Sequence, residues 1–359
     1  MEMTKQKFAF QNKRILITGD TGFKGSWLSL WLKELGADVV GMALPPLYED
    51  DHFNLLALDR LIHHIDCDIR DYSSVEKIFH DFEPEIVFHL AAQALVRNSY
   101  ETPKETFDTN ISGSVNILDM CSKTASVRSL VYVTSDKCYR NREWVWGYRE
   151  NDELGGNDPY SASKAAAEIV FSAYYESFFK RQKHMGTASA RAGNVIGGGD
   201  WSKDRIIPDC MRSLTEHRPI RLRNPGATRP WQHVLEPLSG YLLLAEKLFL
   251  DPEQFSGSWN FGPSADSNKT VRQLADEIVR VWGKGTVLET SENNAPHESH
   301  LLQLNCDKSR FCLGWKPRWN FEEAVAQTVD WYHNWKTKEQ SVLDKTRSQI
   351  RQYREMKND

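Results

Sequence analysis

Residues 14–35, RILITGDTGFKGSWLSLWLKEL, join a short apolar run to a helical pattern through three closely spaced glycines. The run Arg14–Thr18 is rich in β-branched and apolar residues, as expected of a buried strand. Gly19, Gly22 and Gly25 follow it directly, and apolar residues then recur at helical spacing. A strand, a glycine-rich turn and a helix in this order predict the first βαβ unit of a dinucleotide-binding sheet, with phosphate bound at the start of the helix.

Apolar runs and longer helical patterns continue to alternate as far as Ala192, which is typical of βαβ units and a parallel sheet. The predicted strands are Arg14–Thr18, Asp38–Ala43, His63–Asp66, Ile86–Leu90, Leu130–Thr134 and Thr187–Arg191. The predicted helices are Gly22–Leu35, Ser73–Asp81, Lys104–Lys123 and Pro159–Lys180. The sequence therefore predicts an α/β protein with a Rossmann-like, doubly wound parallel sheet.

The pattern becomes irregular after Gly193, where glycine and proline interrupt the chain repeatedly. We expect residues 1–193 to form the dinucleotide-binding domain, with further segments from the C-terminal half joining its sheet. Residues 194–335 are expected to form mainly a smaller, mixed α/β lobe that binds substrate. Residues 336–359 mix charges of both signs with few apolar residues, which predicts a solvated helix or tail.

Composition excludes several classes of function. The 359 residues include 45 basic and 49 acidic side chains, so no net positive charge favours nucleic acid or an anionic membrane. No stretch reaches the roughly 18 apolar residues of a membrane span, and residues 1–12 lack the apolar core of a signal peptide. The six cysteines form no Cys-x-x-Cys pair, which favours reduced thiols over a zinc site. We expect a cytoplasmic protein without a bound metal.

A tyrosine and a lysine supply a candidate base. Tyr160 and Lys164 are separated by one helical turn in a pattern that starts after Asp158 and Pro159, so they share one helix face. A phenol with an ordinary pKa of about 10 is a poor base at neutral pH. We expect the Lys164 ammonium and a positively charged cofactor to lower the pKa of Tyr160.

The Gly-x-x-Gly-x-x-Gly turn and the Tyr-x-x-x-Lys pair resemble those of the extended short-chain dehydrogenase/reductases. Asp68 after the third strand is similar to the family's adenine-contacting Asp, and Asn110 with Gly113 resembles its structural Asn motif. The resemblance implies NAD as cofactor. The implied cofactor-binding residues are Gly19, Thr21, Gly22, Phe23, Lys24, Gly25, Asp68, Ile69, Leu90, Ala91, Ala92, Gln93, Asn110, Thr134, Tyr160 and Lys164.

One position departs from the Rossmann pattern. An Asp or Glu is expected about 20 residues after the glycines, where it binds the adenosine ribose. This chain has Ala43, Leu44 and two prolines there. Charge at the second strand therefore does not choose between NAD and NADP, and the choice of NAD comes from the resemblance.

The segment VTSDKCY, residues 133–139, resembles the strand end of sugar-nucleotide dehydratases in that family. There a hydroxyl residue is followed by an Asp that protonates the leaving hydroxyl and usually by a Glu that removes a ring proton. Ser135 and Asp136 match the first two, whereas Lys137 replaces the Glu. This replacement is shared with the branch that acts on CDP-linked glucose. The 140–157 insertion is also distinctive, but we assign no ligand role to its Trp144 and Trp146.

The resemblance implies that hydride leaves C4 of the sugar, water is lost across C5 and C6, and the hydride returns to C6, as in deoxysugar and lipopolysaccharide biosynthesis. Tyr160 would be the C4 base assisted by Ser135, uncharged Lys137 the C5 base, and Asp136 the acid. Arginine binds diphosphates bidentately. The implied substrate-binding residues are Ser135, Asn194, Arg205, Arg221, Arg229 and His297.

Three alternatives stay open. A dehydratase for another nucleotide sugar stays open, because no residue reads the base on physical grounds. A nucleotide-sugar 4-epimerase would need no acid and base for elimination, so Asp136 and Lys137 argue against it. An NAD-sensing binding protein would be expected to lack the Tyr160 and Lys164 pair. The family's dimer helices correspond to residues 104–123 and 159–180, so we expect a homodimer or homotetramer.

Overall fold

The computed structural model describes residues 9–290 and 301–356, and its centre is a sheet of seven strands. Every neighbouring pair in this sheet is parallel. In spatial order the strands are Gly257–Phe261, Gly186–Ala192, Ser129–Val133, Ile86–His89, Arg14–Thr18, Asp38–Ala43 and His63–Asp66. The predicted Rossmann-like parallel sheet is confirmed, and one edge strand comes from the C-terminal half of the chain.

Helices cover both faces of the sheet. They span Phe23–Glu34, His52–Leu55, Tyr72–Phe82, Val96–Glu101, Pro103–Phe107, Ser114–Lys123, Pro159–Ser177, Ile206–Thr215, Leu235–Leu250, Pro252–Phe255, Val271–Trp282, Phe321–Thr337 and Val342–Glu355. Short 3₁₀ turns span Leu58–Arg60, Asp136–Cys138, Phe179–Arg181 and Ala265–Ser267, and π turns span Asp108–Gly113 and Ser309–Leu313. Outside the main sheet, Val195–Ile196 pairs with Gln232–His233, Thr228–Pro230 with Asn268–Thr270, and Ile220–Leu222 with Val287–Glu289.

Alternate residues of each central strand enter opposite cores, because side chains of a strand point to opposite faces. Ile15 and Ile17 pack on one face with Trp27, whereas Leu16 packs on the other face with Phe171. Both faces are therefore covered, as expected of parallel strands that read as continuous apolar runs.

The strand order reverses between Arg14–Thr18 and Ile86–His89, since the next two strands in sequence lie on the other side of Arg14–Thr18. In open α/β sheets the crevice at the carboxyl ends of strands beside such a reversal is the usual ligand site. The glycine turn and the residues after His89 both lie at this edge.

The C-terminal helix corrects one prediction. Val342–Glu355 is not solvated on all sides, because Ile350 and Tyr353 are buried in the same core as Trp27. The Tyr353 hydroxyl donates to a carboxylate oxygen of Glu236 at 2.7 Å. These buried residues recur at helical spacing, so a few of them suffice to dock one face of a charged helix.

No helix within residues 9–290 and 301–356 combines the length and apolarity needed to cross a bilayer. The six cysteines carry free thiols, of which only that of Cys312 is exposed. The described part of the chain also contains no cluster of His, Cys, Asp and Glu side chains suited to a metal ion.

Candidate active site

The glycine turn forms a tight backbone cradle before helix Phe23–Glu34. Gly19 has a φ of +79°, which favours glycine, and a methyl group there would lie 2.8 Å from the backbone nitrogen of Ala91. A methyl group on Gly25 would overlap the carbonyl oxygen of Gly19. The first helix therefore starts in close contact with the first strand, and the N-terminus of such a helix is a position that can bind a pyrophosphate. The Thr21 hydroxyl donates to the carbonyl of Leu44 at 2.9 Å and ties the turn to the second strand.

The residues after the fourth strand lie beside this turn. The backbone N–H groups of Leu90 and Ala91 donate to the Thr18 hydroxyl at 3.2 and 3.1 Å. Farther along, Asn110 accepts from the Gln93 backbone N–H at 2.8 Å and donates to its carbonyl at 3.0 Å. Gln93 and Asn110 thus form a bracket that holds the backbone of the segment from Leu90 to Gln93 in place.

The hydrogen bonds between Gln93 and Asn110 accompany an irregularity in the helix that contains Asn110. The predicted continuous helix Lys104–Lys123 is interrupted by the π turn Asp108–Gly113, which contains Asn110. Asn110 also donates to the Ser163 hydroxyl at 2.8 Å, next to Lys164. A π turn often marks a functional site, and here it connects the candidate cofactor loop to the helix that carries the Tyr–Lys pair.

At the end of the third strand, Asp68 accepts from the Arg70 guanidinium at 2.6 Å. This hydrogen bonding holds the pKa of Asp68 below its ordinary value. Ile69 is buried against Gly113, where a methyl group would lie 2.7 Å from the Ile69 side chain. The two predicted contacts for the adenine end therefore lie beside the π turn.

An acidic side chain does lie against the second strand, but it belongs to Asp20 of the glycine turn and not to the end of that strand. Asp20 is fully buried, and a methyl group on Gly41 would overlap its carboxylate. The carboxylate lies 2.7 Å from Nδ1 of His64 on the third strand. Burial raises the pKa of Asp20, although His64 acts to lower it. Sequence patterns did not predict the pair of Asp20 and His64. The feature that could have indicated it is Gly41 within an apolar strand, because a glycine there leaves room for the Asp20 carboxylate.

Tyr160 lies at the start of helix Pro159–Ser177, where Asp158 accepts from the backbone N–H of Ser161 at 2.9 Å and caps the helix. The Ser135 side chain hydrogen-bonds Tyr160 and donates to Asp136 at 3.0 Å. The Ser135 hydroxyl also accepts from the backbone N–H of Lys137 at 3.2 Å. The structure thus brings Tyr160, Ser135 and Asp136 together from a strand end and a helix start, and Lys137 follows Asp136 in the chain.

The Asp136 carboxylate is buried, and its Oδ2 accepts no hydrogen bond from any residue that the structure describes. Gly193 packs directly against this oxygen, because a methyl group there would overlap it. A buried carboxylate oxygen without a donor is energetically costly, so it is suited to a ligand hydroxyl that supplies the missing hydrogen bond.

Burial opposes the lowering of the Tyr160 pKa that Lys164 and a positively charged cofactor are expected to produce. Burial raises the pKa of Tyr160 to about 12, while hydrogen bonding to Ser135 acts to lower it and the charge of Asp136 acts to raise it. Desolvation of the phenolate is the stronger effect because the phenol lies in the protein interior.

Two buried lysines, Lys24 and Lys164, have lowered pKa values. Burial lowers the pKa of Lys164 to about 8, and the charge of Glu168 opposes this shift. Burial also lowers the pKa of Lys24 to about 8, and the charge of Arg205 acts in the same direction. Asp136 opposes the shift of Lys24. Lys24 therefore faces the catalytic cluster as well as the glycine turn, which its place in the motif did not indicate.

The predicted substrate-binding residues fall into separate places. Arg205 pairs with Asp200 at 3.0 Å, and this carboxylate together with nearby Tyr160 raises the pKa of Arg205. Asn194 is partly buried immediately after Gly193, and Arg229 is buried in strand Thr228–Pro230. His297 lies outside the described residues.

Arg221 lines a different cavity, of about 430 Å³, together with Arg212, Arg218 and Arg223. None of the predicted catalytic residues lines this cavity within the ranges that the structure describes. The structure therefore places Arg205 with the catalytic residues and leaves Arg221 apart from them.

A polar cavity of about 170 Å³ reaches Gly193, the residue behind Asp136. Gln232, Asn268 and Gly147 also line it, so the 140–157 insertion contributes one wall. In this insertion Trp144 stacks on Tyr148 with ring centroids 5.3 Å apart, and Trp146 is 68% exposed. The insertion thus contributes backbone to the cavity next to Asp136.

The comparisons with known proteins agree with this arrangement. The family model described as GDP-mannose 4,6 dehydratase matches residues 16–328. A CDP-glucose 4,6-dehydratase from Salmonella typhimurium is 49% identical over 330 residues, which cover 91% of this chain and 92% of that protein.

Solved structures show the same fold at lower identity. A dTDP-glucose 4,6-dehydratase from Bacillus anthracis in complex with NAD has a TM-score of 0.75 at 21% identity, covering 90% of this chain and 97% of that chain. A UDP-glucose 4-epimerase from Thermotoga maritima with UDP-glucose has a TM-score of 0.76 at 23% identity, with coverage of 89% and 98%. Dehydratases and epimerases thus share this fold, and the family model together with the Salmonella relative confirms the predicted resemblance: the chain belongs to the GDP-mannose 4,6 dehydratase family.

Proposed function

We propose that the chain is a CDP-glucose 4,6-dehydratase, which converts CDP-D-glucose into CDP-4-dehydro-6-deoxy-D-glucose and water. The observation that carries this proposal is the buried cluster of Tyr160, Ser135 and Asp136, with Lys137 next in the chain. The 49% identity to the Salmonella enzyme supports the choice of CDP-glucose. Such a reaction supplies deoxysugar precursors, and we place it in the cytoplasm and in lipopolysaccharide biosynthesis.

NAD is the proposed cofactor, and the glycine turn fits it, because Gly19 and Gly25 let the backbone of the turn pack closely against Ala91 and against the start of the helix, whose N-terminus can bind phosphate. When bound, NAD supplies the site that accepts the C4 hydride and returns it to C6. The chain's own part is to bind phosphate at the turn, to hold the segment from Leu90 to Gln93 beside it, and to place Lys164 one helical turn from Tyr160.

The catalytic side chains divide the proton transfers. Tyr160 takes the proton of the C4 hydroxyl, and Ser135 hydrogen-bonds the developing oxygen. The resulting 4-ketone acidifies the C5 proton, which Lys137 removes. Asp136 protonates the departing C6 hydroxyl, a role that suits the oxygen facing Gly193 without a hydrogen-bond donor. One water leaves. As hydride is returned to C6, Lys137 would give its proton back at C5, and the proton held by Tyr160 would pass to Asp136 and restore its acid form, so the proton balance closes.

The two rival functions are less well supported. An epimerase requires no acid and base for elimination, whereas Ser135 here positions Asp136 and the backbone of Lys137. An NAD-sensing binding protein has no need for the buried Tyr160 and Lys164 pair. Only an experiment distinguishes a CDP-glucose dehydratase from a dehydratase for another nucleotide sugar.

Turnover of four nucleotide sugars tests the proposal. Purified protein with added NAD is incubated separately with CDP-, dTDP-, UDP- and GDP-glucose, and the product is examined by mass spectrometry for loss of one water. We expect a 4-keto product only from CDP-glucose, with deuterium placed at C4 recovered at C6. Release of that deuterium into free NADH would contradict a dehydratase, and a preference for another base would overturn the choice of CDP.

Replacing Arg229 by alanine is expected to raise KM for CDP-glucose by about 10- to 100-fold, because it removes a charged hydrogen-bond donor proposed for the diphosphate. The expected change in kcat is small, since this contact is present in both the ground state and the transition state. Arg272→Ala is the matched control, because Arg272 pairs with Asp276 and Glu289 on the surface. A large loss of kcat with unchanged KM in Arg229→Ala would contradict the assignment.

We further propose that the protein is a homodimer or homotetramer. Exposed apolar side chains on and beside the two helices named by the family resemblance support this assembly. They are Tyr100, Phe107, Ile169 and Phe178. Sedimentation at micromolar concentration tests the proposal, and a monomer there would contradict it.

A further inference from the structure

Behind the catalytic residues lies a buried ion pair with no role in the reaction described above. Glu168 is one turn after Lys164 on helix Pro159–Ser177 and is 2% exposed. Its carboxylate accepts from Nε of Arg191 at 2.9 Å and from Nη2 at 2.7 Å. Arg191 is also 2% exposed, so both charges are removed from water. The Arg191 guanidinium holds the pKa of Glu168 below its ordinary value even though burial acts to raise it.

This ion pair holds the strand end that carries the catalytic residues. The Thr134 hydroxyl, immediately before Ser135, donates to Glu168. The Ser189 hydroxyl on the neighbouring strand donates to the same carboxylate at 2.8 Å. Thr134 therefore turns its side chain toward the ion pair, and the chain after it leads directly to Ser135 and Asp136.

The insertion completes the surroundings of Arg191. The remaining nitrogen, Nη1, donates to the Tyr139 hydroxyl at 2.7 Å and to the carbonyl of Glu150 at 2.9 Å. Nη2 also donates to the Ser258 hydroxyl on the edge strand at 3.0 Å. One guanidinium thus joins the helix Pro159–Ser177, the insertion and the edge strand Gly257–Phe261, so its position is determined by all three.

Glu168 also acts on Lys164 through its charge. Four titratable groups influence or are influenced by Lys164 among the described residues: Lys24 from the glycine turn, His89 from the fourth strand, Cys138 after the fifth strand, and Glu168 from the same helix. Lys24 has the same charge as Lys164, and burial keeps His89 neutral by lowering its pKa and Cys138 neutral by raising its pKa. Glu168 is therefore the anionic member of this set.

We propose that Glu168, held by Arg191, is a positioning residue for the dehydratase reaction: it fixes the strand end that carries Ser135 and Asp136 and keeps Lys164 protonated beside Tyr160. Buried ion pairs are poor sources of stability, because desolvation offsets their attraction. A role in catalysis explains why this pair is surrounded by hydrogen bonds from four parts of the chain. The expected changes in kcat rest on the proposed function, whereas the expected change in the protonation of Lys164 does not.

The test is a neutral replacement of both partners, Glu168→Gln with Arg191→Met, which leaves no buried charge without its partner. We expect the alkaline limb of the kcat profile to move to lower pH by about one unit, because Lys164 loses its stabilising anion, so that kcat at alkaline pH falls about tenfold. Ser189→Ala is the matched control, since it removes a neutral hydrogen bond to the same carboxylate and should leave the alkaline limb in place.

A second readout does not need turnover. Competitive labelling of the Lys164 amine by acetic anhydride, followed by peptide mass spectrometry across pH, reports its protonation directly. The midpoint should fall in the double variant and remain in Ser189→Ala. An unchanged midpoint in a folded double variant would overturn the charge role, even if no nucleotide sugar were turned over.

Thr134→Val tests the positioning role of Glu168 separately. It remains a test if the double variant does not fold. It removes the hydrogen bond to Glu168 but no charge. We expect kcat to fall about tenfold with KM and the alkaline limb unchanged. Wild-type kcat in Thr134→Val would overturn the proposal that Glu168 fixes the strand end.

Discussion

Replacing Tyr160 by phenylalanine is expected to lower kcat by about 10²- to 10⁴-fold, because it deletes the group that takes the C4 hydroxyl proton. The ring remains, so the packing of this buried position should change little. Since burial raises the pKa of the Tyr160 phenol to about 12, the chain alone does not make this group a base at neutral pH. A positive charge brought by oxidised nicotinamide would favour the phenolate.

The measurement is turnover of CDP-glucose together with binding of NAD. Binding of NAD should be nearly unchanged in Tyr160→Phe, which separates lost chemistry from lost folding. Tyr175→Phe, near the end of the same helix, is the matched control and should turn over normally. Near-normal turnover in Tyr160→Phe would remove this residue from the mechanism.

Replacing Lys137 by methionine and Asp136 by asparagine should stop the reaction at different stages, each with a loss of about 10²- to 10⁴-fold in kcat. In Lys137→Met the sugar is still oxidised at C4, but the C5 proton no longer exchanges with deuterated solvent. In Asp136→Asn both oxidation and C5 exchange continue, while loss of water becomes slow. The variants differ because Lys137 removes the C5 proton before Asp136 protonates the departing C6 hydroxyl.

Mass spectrometry of the sugar after incubation in deuterium oxide distinguishes the two variants. Lys316→Met, at an exposed position, controls for the loss of a lysine. Continued C5 exchange in Lys137→Met would contradict the base assignment and would favour Asp136 or a bound water as the group that takes the proton.

Local sequence patterns were sufficient for most of the sheet. The bounds of Arg14–Thr18 and Asp38–Ala43 agree with the structure, because these buried parallel strands are nearly continuous apolar or β-branched runs between turns. The bounds of His63–Asp66 also agree, although this edge strand is polar and only partly buried. The pattern of Lys104–Lys123 did not reveal the π turn Asp108–Gly113. That irregularity accompanies side-chain bonds from Asn110 to the backbone of Gln93, a contact between separate elements.

The C-terminal segment shows the limit of composition. Its many charges predicted a solvated helix, yet Ile350 and Tyr353 bury one face. Composition averages over all sides of a helix, whereas docking depends only on the side chains that share one side.

Local sequence patterns predict the parallel α/β fold, the glycine turn, the Tyr160 and Lys164 pair and the strand end with Asp136, because each lies within a few consecutive residues. Tertiary structure brings distant groups together: it pairs Asp20 with His64 and Glu168 with Arg191, and it places Lys24 where the charges of Arg205 and Asp136 act on its pKa. It also decided the direction of the pKa shift of Tyr160, since burial and the distances between charges arise only when separate strands and helices pack together.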